Sequence, residues 1–164
     1  MDGIIFGGQL EDFAGSIHKE DSKNISIRRS SGGHKIATFL RQNGYNVEVI
    51  DYVHRWKIEQ LKEYLKPRAE KCKFFGFGST FFLDSPVVKE LVEWLKQEYP
   101  NIGVICDVAL DPYTSHAHDG IISNGKVDND KSLKKLVDQA LLLADSGADI
   151  LAPSDMMDGR VGRI

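Results

Sequence analysis

Short apolar runs alternate with amphipathic stretches along most of this chain, the arrangement of a parallel sheet whose strands are joined by helices. The first run is Gly3 to Phe6, ended by Gly7 and Gly8; the polar, aperiodic stretch from Gly15 to Arg29 then predicts an exposed loop. Ser30 to Gly33 lead into a helix with Ile36, Phe39 and Leu40 on one face, stopped by Asn43-Gly44, and Tyr45 to Ile50 follows as a strand. A second helix is expected from Lys57 to about Lys71, with Ile58, Leu61 and Leu65 inward and Pro67 placed to kink or end it. Phe74 to Gly78 is the next strand. Asp84 or Ser85 is placed to cap a third helix from Pro86, whose stripe is Val88, Leu91, Val92 and Leu95.

Ile102 to Asp107 reads as a further strand, and Asn124-Gly125 as the turn of a small hairpin. Asn129 to Ser146 then sets Leu133, Leu136, Val137, Ala140, Leu141 and Ala144 on one helical face, before a last strand at Ala148 to Ala152. The expected fold is therefore α/β, with roughly five parallel strands and helices between them.

Composition narrows the function classes. The 164 residues suit one ordinary domain, and a formal net charge of -3 gives no electrostatic pull toward nucleic acid. No window has the apolar length needed to cross a bilayer, and the N-terminus lacks a basic region followed by an apolar run. The expectation is a cytoplasmic chain with no membrane partner. Cys72 and Cys106 are far apart and form no CxxC pair, so buried free thiols are expected rather than a disulfide framework or a four-cysteine zinc site.

Two polar clusters stand where α/β folds collect functional side chains, just after buried strands. The first is Asp107, Asp111, Tyr113, Thr114, Ser115, His116, His118 and Asp119. Its carboxylates and imidazoles suit a divalent metal, but the spacing is no established ligand signature, and a solvated polar loop is the plainer alternative. The second is Ser154, Asp155, Asp158 and Arg160, which reads equally as a helix cap with acidic first-turn support. Gly7-Gly8, Ser30 to Gly33 and Gly76-Phe77-Gly78 could together form a crevice for a phosphate-bearing ligand at strand ends, or be ordinary turns; His34 is expected on a helix surface.

The segments Asp107-Val108-Ala109-Leu110-Asp111-Pro112-Tyr113-Thr114-Ser115-His116-Ala117-His118-Asp119-Gly120 and Gly147-Ala148-Asp149-Ile150-Leu151-Ala152-Pro153-Ser154-Asp155-Met156-Met157-Asp158-Gly159-Arg160 carry a family resemblance. From about residue 103 to 164 the chain resembles the porphobilinogen synthase (5-aminolevulinate dehydratase) family. That family is a (β/α)8 barrel that condenses two molecules of 5-aminolevulinate into porphobilinogen, the pyrrole precursor of tetrapyrroles. The resemblance implies that the strands before the two motifs are neighbours in a barrel wall. It implies that Asp107 lies on the active-site floor, with Ser154 and Asp155 at the next strand end, positioning substrate and the reactive groups. Zinc-dependent members have cysteines where this chain has Ala109, Asp111 and Asp119, so the resemblance implies the branch without catalytic zinc. Asp111 and Asp119 would then offer oxygen to Mg2+ or another hard cation. Ala117 departs from a usual glycine.

The family's two Schiff-base lysines lie beyond the point matching Ile164. Lys126, Lys131, Lys134 and Lys135 fall in the hairpin and helix, where a solvated face is expected. With about three of the eight barrel strands present, this chain alone is expected not to turn over. The resemblance also allows a homo-oligomer.

Upstream, Arg29-Ser30-Ser31-Gly32-Gly33-His34-Lys35-Ile36-Ala37-Thr38-Phe39-Leu40 and Tyr45-Asn46-Val47-Glu48-Val49-Ile50-Asp51 give residues 1–102 a different resemblance. They are similar to the cobalamin-binding-type N-terminal domain of some radical S-adenosylmethionine enzymes, a flavodoxin-like doubly wound sheet. No DxHxxG supplies a lower-ligand histidine, so cobalamin itself is not expected. The sequence therefore reads as a flavodoxin-like first part (1–102) joined near Pro100 to Val104 to a partial barrel segment (103–164), the two packed as one domain or as two. The leading function is a synthase-type fragment acting on 5-aminolevulinate, and the alternative is a cobalamin- or nucleotide-type ligand-binding module without catalysis.

Overall fold

The computed structural model describes residues 1–7, 31–51, 56–78, 85–110 and 120–164. The Gly15 to Arg29 stretch, Gly8, Ser30, the cap at Asp84 and the polar loop from Asp111 to Asp119 lie outside the described residues. In chain order the elements are β1 (Gly3–Phe6), α1 (Ser31–Gln42), β2 (Val47–Ile50), α2 (Ile58–Ala69), β3 (Phe74–Phe77) and α3 (Ser85–Glu98). They continue with β4 (Gly103–Val108), β5 (Ile121–Ser123), β6 (Lys126–Asp128), α4 (Asn129–Asp145), β7 (Ile150–Pro153) and α5 (Arg160–Arg163). Pro67 stays inside α2, in its last turn, rather than ending it.

Five strands pair in one all-parallel sheet with the spatial order β2-β1-β3-β4-β7. β4 and β7 are neighbours, as the barrel resemblance implies, and β3-β4-β7 follow chain order as barrel strands do. The other side is doubly wound: β1 lies between β2 and β3, with Gly3 opposite both Val47 and Phe74. Strands on both sides of residue 102 thus share one sheet, and one hydrophobic cluster runs from Ile4 to Met157.

Strand alternation separates the two faces of this sheet. Ile4, Phe6, Phe75, Phe77, Val104, Cys106 and Val108 face a core closed by α2, α3 and α4 through Leu61, Leu65, Leu91, Leu95 and Leu136. The rings of Phe6 and Phe77 stack 4.6 Å apart there. The α3 stripe of Val88, Leu91, Val92 and Leu95 is buried as its spacing predicts. The α4 stripe is rotated from the expected one: Ser132, Leu133, Leu136, Ala140 and Leu143 are buried, while Leu141 is 58% exposed. Steps of three and four from Leu133 reach Leu136, Ala140 and Leu143, and Leu141 falls on the next row round the helix.

Among the described residues the opposite face carries only α1, packed over β1 and β2 through Ala37 against Ile5 and Val47. On this helix Ile36 and Phe39 are 56% and 65% exposed, whereas Gly33 and Ala37 are buried. Small residues let the helix backbone approach the sheet, which turns its larger apolar side chains outward or along the sheet.

The hairpin forms where the sequence places it. Asn124 (φ 52°) and Gly125 (φ 75°) both take the left-handed conformation that a tight hairpin turn requires. Buried Ser132 clasps it to α4, accepting from the Ile121 amide at 2.8 Å and donating to the Asp128 carbonyl at 2.6 Å. Among the described residues no helix is long and apolar enough to cross a membrane.

Candidate functional site

A cavity of about 560 Å³ opens between α1 and the less covered face of the sheet. Most of its sheet side follows the two-residue period, Ile5 from β1, Phe74, Gly76 and Gly78 along β3, Ile105 and Asp107 from β4, then Ala152 and Ser154 along β7, with Phe6 and Phe77 also bordering it at their strand ends. Ile5, Gly76, Ile105 and Ile150 are successive register partners across the sheet, and Asp107 pairs with Ala152 one step further along. The space exists because small residues stand where branched ones would fill it. Gly76 contributes no side chain, and Ala152, the register partner of Asp107, contributes only a methyl group. α1 supplies the facing wall through Gly32, Gly33, Ile36 and Leu40.

Asp107 and Ser154, two of the positions singled out from sequence, therefore line one cavity. Ser154 is held at the end of its strand by its own amide, which donates to the Val108 carbonyl at 2.9 Å. Asp155 is placed differently and does not line the cavity. Its side chain is 1% exposed; Oδ1 accepts the Met157 amide at 2.7 Å, and Oδ2 lies 3.4 Å from Arg160 Nε. That carboxylate is an Asx-type cap and ion-pair partner that orders the turn after β7. Asp158 is likewise a turn residue, its backbone tied to the Asn129 side chain at 2.8 and 3.3 Å. Asp111 and Asp119, the expected cation positions, lie outside the described residues, together with His116 and His118.

The two thiols are buried, as expected. Beneath the cavity floor, burial pushes the Cys106 thiol up to about 12, with the Asp107 charge adding to the effect, so it is no nucleophile at neutral pH. Asp149, in the second motif, is a structural carboxylate. Partial burial pushes its pKa up, but the Val104 amide at 2.7 Å and the Lys96 ammonium at 3.0 Å outweigh this and hold it below the ordinary value. Lys96 also donates to the Pro100 and Ile102 carbonyls, which fastens the end of α3 to the start of β4 and to β7.

One pair escaped the sequence reading. His34 Nε2 on α1 lies 2.7 Å from Asp51 Oδ2, just past the end of β2. Asp51 Oδ1 is buried without a hydrogen-bond partner among the described residues. The available signal was an aspartate directly following a buried strand, but nothing in the spacing joined it to His34. The two meet because α1 crosses back over the β1–β2 edge.

Comparison with known proteins agrees with the barrel resemblance and extends it. The family described as Delta-aminolevulinic acid dehydratase matches residues 42–164. A delta-aminolevulinic acid dehydratase of Bradyrhizobium diazoefficiens is 58% identical over 87 residues, covering 53% of this chain and 25% of the relative. The chloroplastic enzyme of Chlamydomonas reinhardtii is 36% identical over 152 residues, covering 90% and 37%. That of Chlamydia pneumoniae is 56% identical over 149 residues, covering 79% and 44%. The chain thus spans less than half the length of these relatives. Among solved structures, delta-aminolevulinic acid dehydratase (porphobilinogen synthase) from Toxoplasma gondii ME49, in complex with the reaction product porphobilinogen, superposes with a TM-score of 0.53. It is 36% identical and covers 65% of this chain and 35% of that one. The family match passes through Pro100 to Val104 without a break and takes in β2, α2, β3 and α3. Residues 1–41, with β1 and nearly all of α1, lie outside that match, while the alignment with the Chlamydomonas enzyme, over 90% of this chain, takes in α1; the cobalamin-domain resemblance of residues 1–102 is not shown by these comparisons.

Proposed function

Since the chain belongs to the delta-aminolevulinic acid dehydratase family, we propose that it binds and orients the keto-amine substrate 5-aminolevulinate. The observation that carries this reading is that Asp107 and Ser154, on adjacent strands, line one cavity. A carboxylate in a largely apolar cavity attracts an ammonium group more strongly than it would in open water, and the Ser154 hydroxyl adds a donor and acceptor beside it. The covalent part of the family's reaction rests on lysine imines, in which an iminium serves as the electron sink. No lysine lines the cavity among the described residues, so binding and orientation are assigned to this polypeptide and imine formation is not. The same reading gives Asp111 and Asp119 to a hard cation such as Mg2+, because carboxylate oxygens favour it over zinc.

Calorimetric titration with 5-aminolevulinate should give saturable binding that Asp107→Asn weakens about tenfold, the loss of one charge-assisted contact. Borohydride trapping in the presence of 5-aminolevulinate should label no lysine. A labelled lysine would overturn the restriction to binding, and wild-type affinity in Asp107→Asn would overturn the site.

A second reading rests on the strand order. With β1 flanked by β2 and β3, the sheet has the reversal of winding at which doubly wound folds bind nucleotide-type ligands. Saturable, stoichiometric binding of cobalamin or of AMP would favour that module over the substrate floor.

A further inference from the structure

We infer that Gly76 is the base of a slot for a flat aromatic ring, held edge-on between Ile5 and Ile105 and faced by Ile36 and Leu40 of α1. The inference goes beyond the substrate reading and uses neither Asp107 nor Ser154. Gly3, Gly76 and Gly103 are the glycines within the strands of the sheet. Glycine weakens a strand, through lost chain entropy and through the missing side chain, so each needs a reason. At Gly3 a Cβ would overlap the Phe74 ring, and at Gly103 it would press on the Lys73 carbonyl oxygen at 3.4 Å, so packing accounts for both. Gly76 has no such reason. Its backbone is outside the left-handed region, and its register with Ile5 and Ile105 runs without a bulge. Among the described residues the nearest atom to an added Cβ is Ile5 Cγ1 at 3.7 Å, an ordinary contact. A strand glycine that neither turn, bulge nor crowding requires marks a place where something else approaches the backbone. The cavity opens directly over it.

The flanks set the shape of the occupant. Ile5 and Ile105 are the register partners of Gly76 on its two sides, so their Cα atoms stand two strand spacings apart, roughly 9.6 Å. A flat ring needs about 3.5–4.0 Å to the carbons on each flank, and the branches of the two isoleucines take up the remainder. A puckered saturated ring is thicker and would have to spread them. Flanks and facing wall are apolar, and no Lys or Arg lines the cavity among the described residues, which suits an uncharged ring. Ile36 keeps exposed apolar surface while lining the cavity, and a ring lying against it would remove that surface from water. The volume of about 560 Å³ admits two fused rings.

The test titrates the whole chain by calorimetry with 2-naphthol and with decahydro-2-naphthol, an uncharged alcohol of the same ring skeleton that is not flat. 2-Naphthol should bind with one-to-one stoichiometry and at least about tenfold more tightly than the saturated alcohol. Gly76→Ala should weaken 2-naphthol about tenfold, because the new methyl group stands in the slot, while its urea midpoint equals the wild-type value or rises. Ile105→Ala, which opens one flank, should narrow the preference for the flat alcohol. Equal binding of the two alcohols would overturn the inference, since plain apolar space would then account for the cavity. So would a Gly76→Ala chain that keeps wild-type affinity for 2-naphthol, or one whose urea midpoint falls, because the fold itself would then require the glycine. Absent 2-naphthol binding, or an unchanged preference in Ile105→Ala, counts against it equally. The binding of 5-aminolevulinate and its dependence on Asp107 stand or fall separately.

Discussion

The two faces of the sheet have been given opposite tasks. Beneath α2, α3 and α4, large apolar side chains fill the space completely: Phe75, Leu65, Leu91, Leu95 and Val104 are all fully buried. On the other face the same strands present Gly76, Ile105, Asp107 and Ala152, and among the described residues only α1 covers it, at the β1–β2 end. One side is selected for volume and the other for room. A period of two along each strand lets one backbone serve both ends, because successive residues belong to different environments.

The comparison is most easily broken by truncation on the packed face. Phe75→Ala should cost about 3–5 kcal/mol, from lost transfer energy and an unfilled cavity, read from the urea midpoint at unchanged slope. Ile105→Ala, on the open face of the neighbouring strand, should cost about 1–2 kcal/mol, because the wild-type side chain is only partly removed from water. Equal costs would mean that the two faces are packed alike.

A smaller effect should come from the clasp that joins them at the strand starts. Asp149 has a pKa below the ordinary carboxylate value in the folded chain, so its stabilisation is complete above the unfolded value and is lost as pH falls through the lowered folded value. Asp149→Asn should remove that part of the acid dependence of the thermal midpoint. The cost near neutral pH should be about 1 kcal/mol, kept low because the side chain is 45% exposed and screened by water. An unchanged acid limb in the variant would show that the Val104 amide and Lys96 do not hold this carboxylate.

The smallest stability change should come from Ala152→Leu, at an exposed position on the open face: within about 0.5 kcal/mol in urea unfolding. Its effect on ligands should be larger, with about tenfold weaker 5-aminolevulinate binding as the new side chain occupies space beside Asp107. A strongly destabilised Ala152→Leu would show that this face is packed after all.

Local patterns in the sequence carried much of the fold. The apolar runs at Gly3 to Phe6 and Phe74 to Gly78, the stripe from Val88 to Leu95 and the Asn124-Gly125 turn are all set by neighbours a few residues away. The faces of α1 and α4 were less legible. Each has more apolar residues than one face can bury, and only the partner decides which stay out, as Ile36, Phe39 and Leu141 do. Asp107 and Ser154 line one cavity, but spacing could not separate Ser154 from Asp155, which turns inward to Arg160. His34 and Asp51 are 17 residues apart, and only the return of α1 across the sheet brings them together.

By itself, then, the sequence determined the elements, their alternation and the family motifs, because hydrophobic period and turn chemistry act over a few residues. Tertiary structure alone decided that β1 lies between β2 and β3 and that α1 stands over the open face. It also decided that residues of α1 line one cavity with Asp107 and Ser154. Strand order and helix placement are chosen by long-range pairing and by which surfaces can be buried together, and no local pattern encodes that choice.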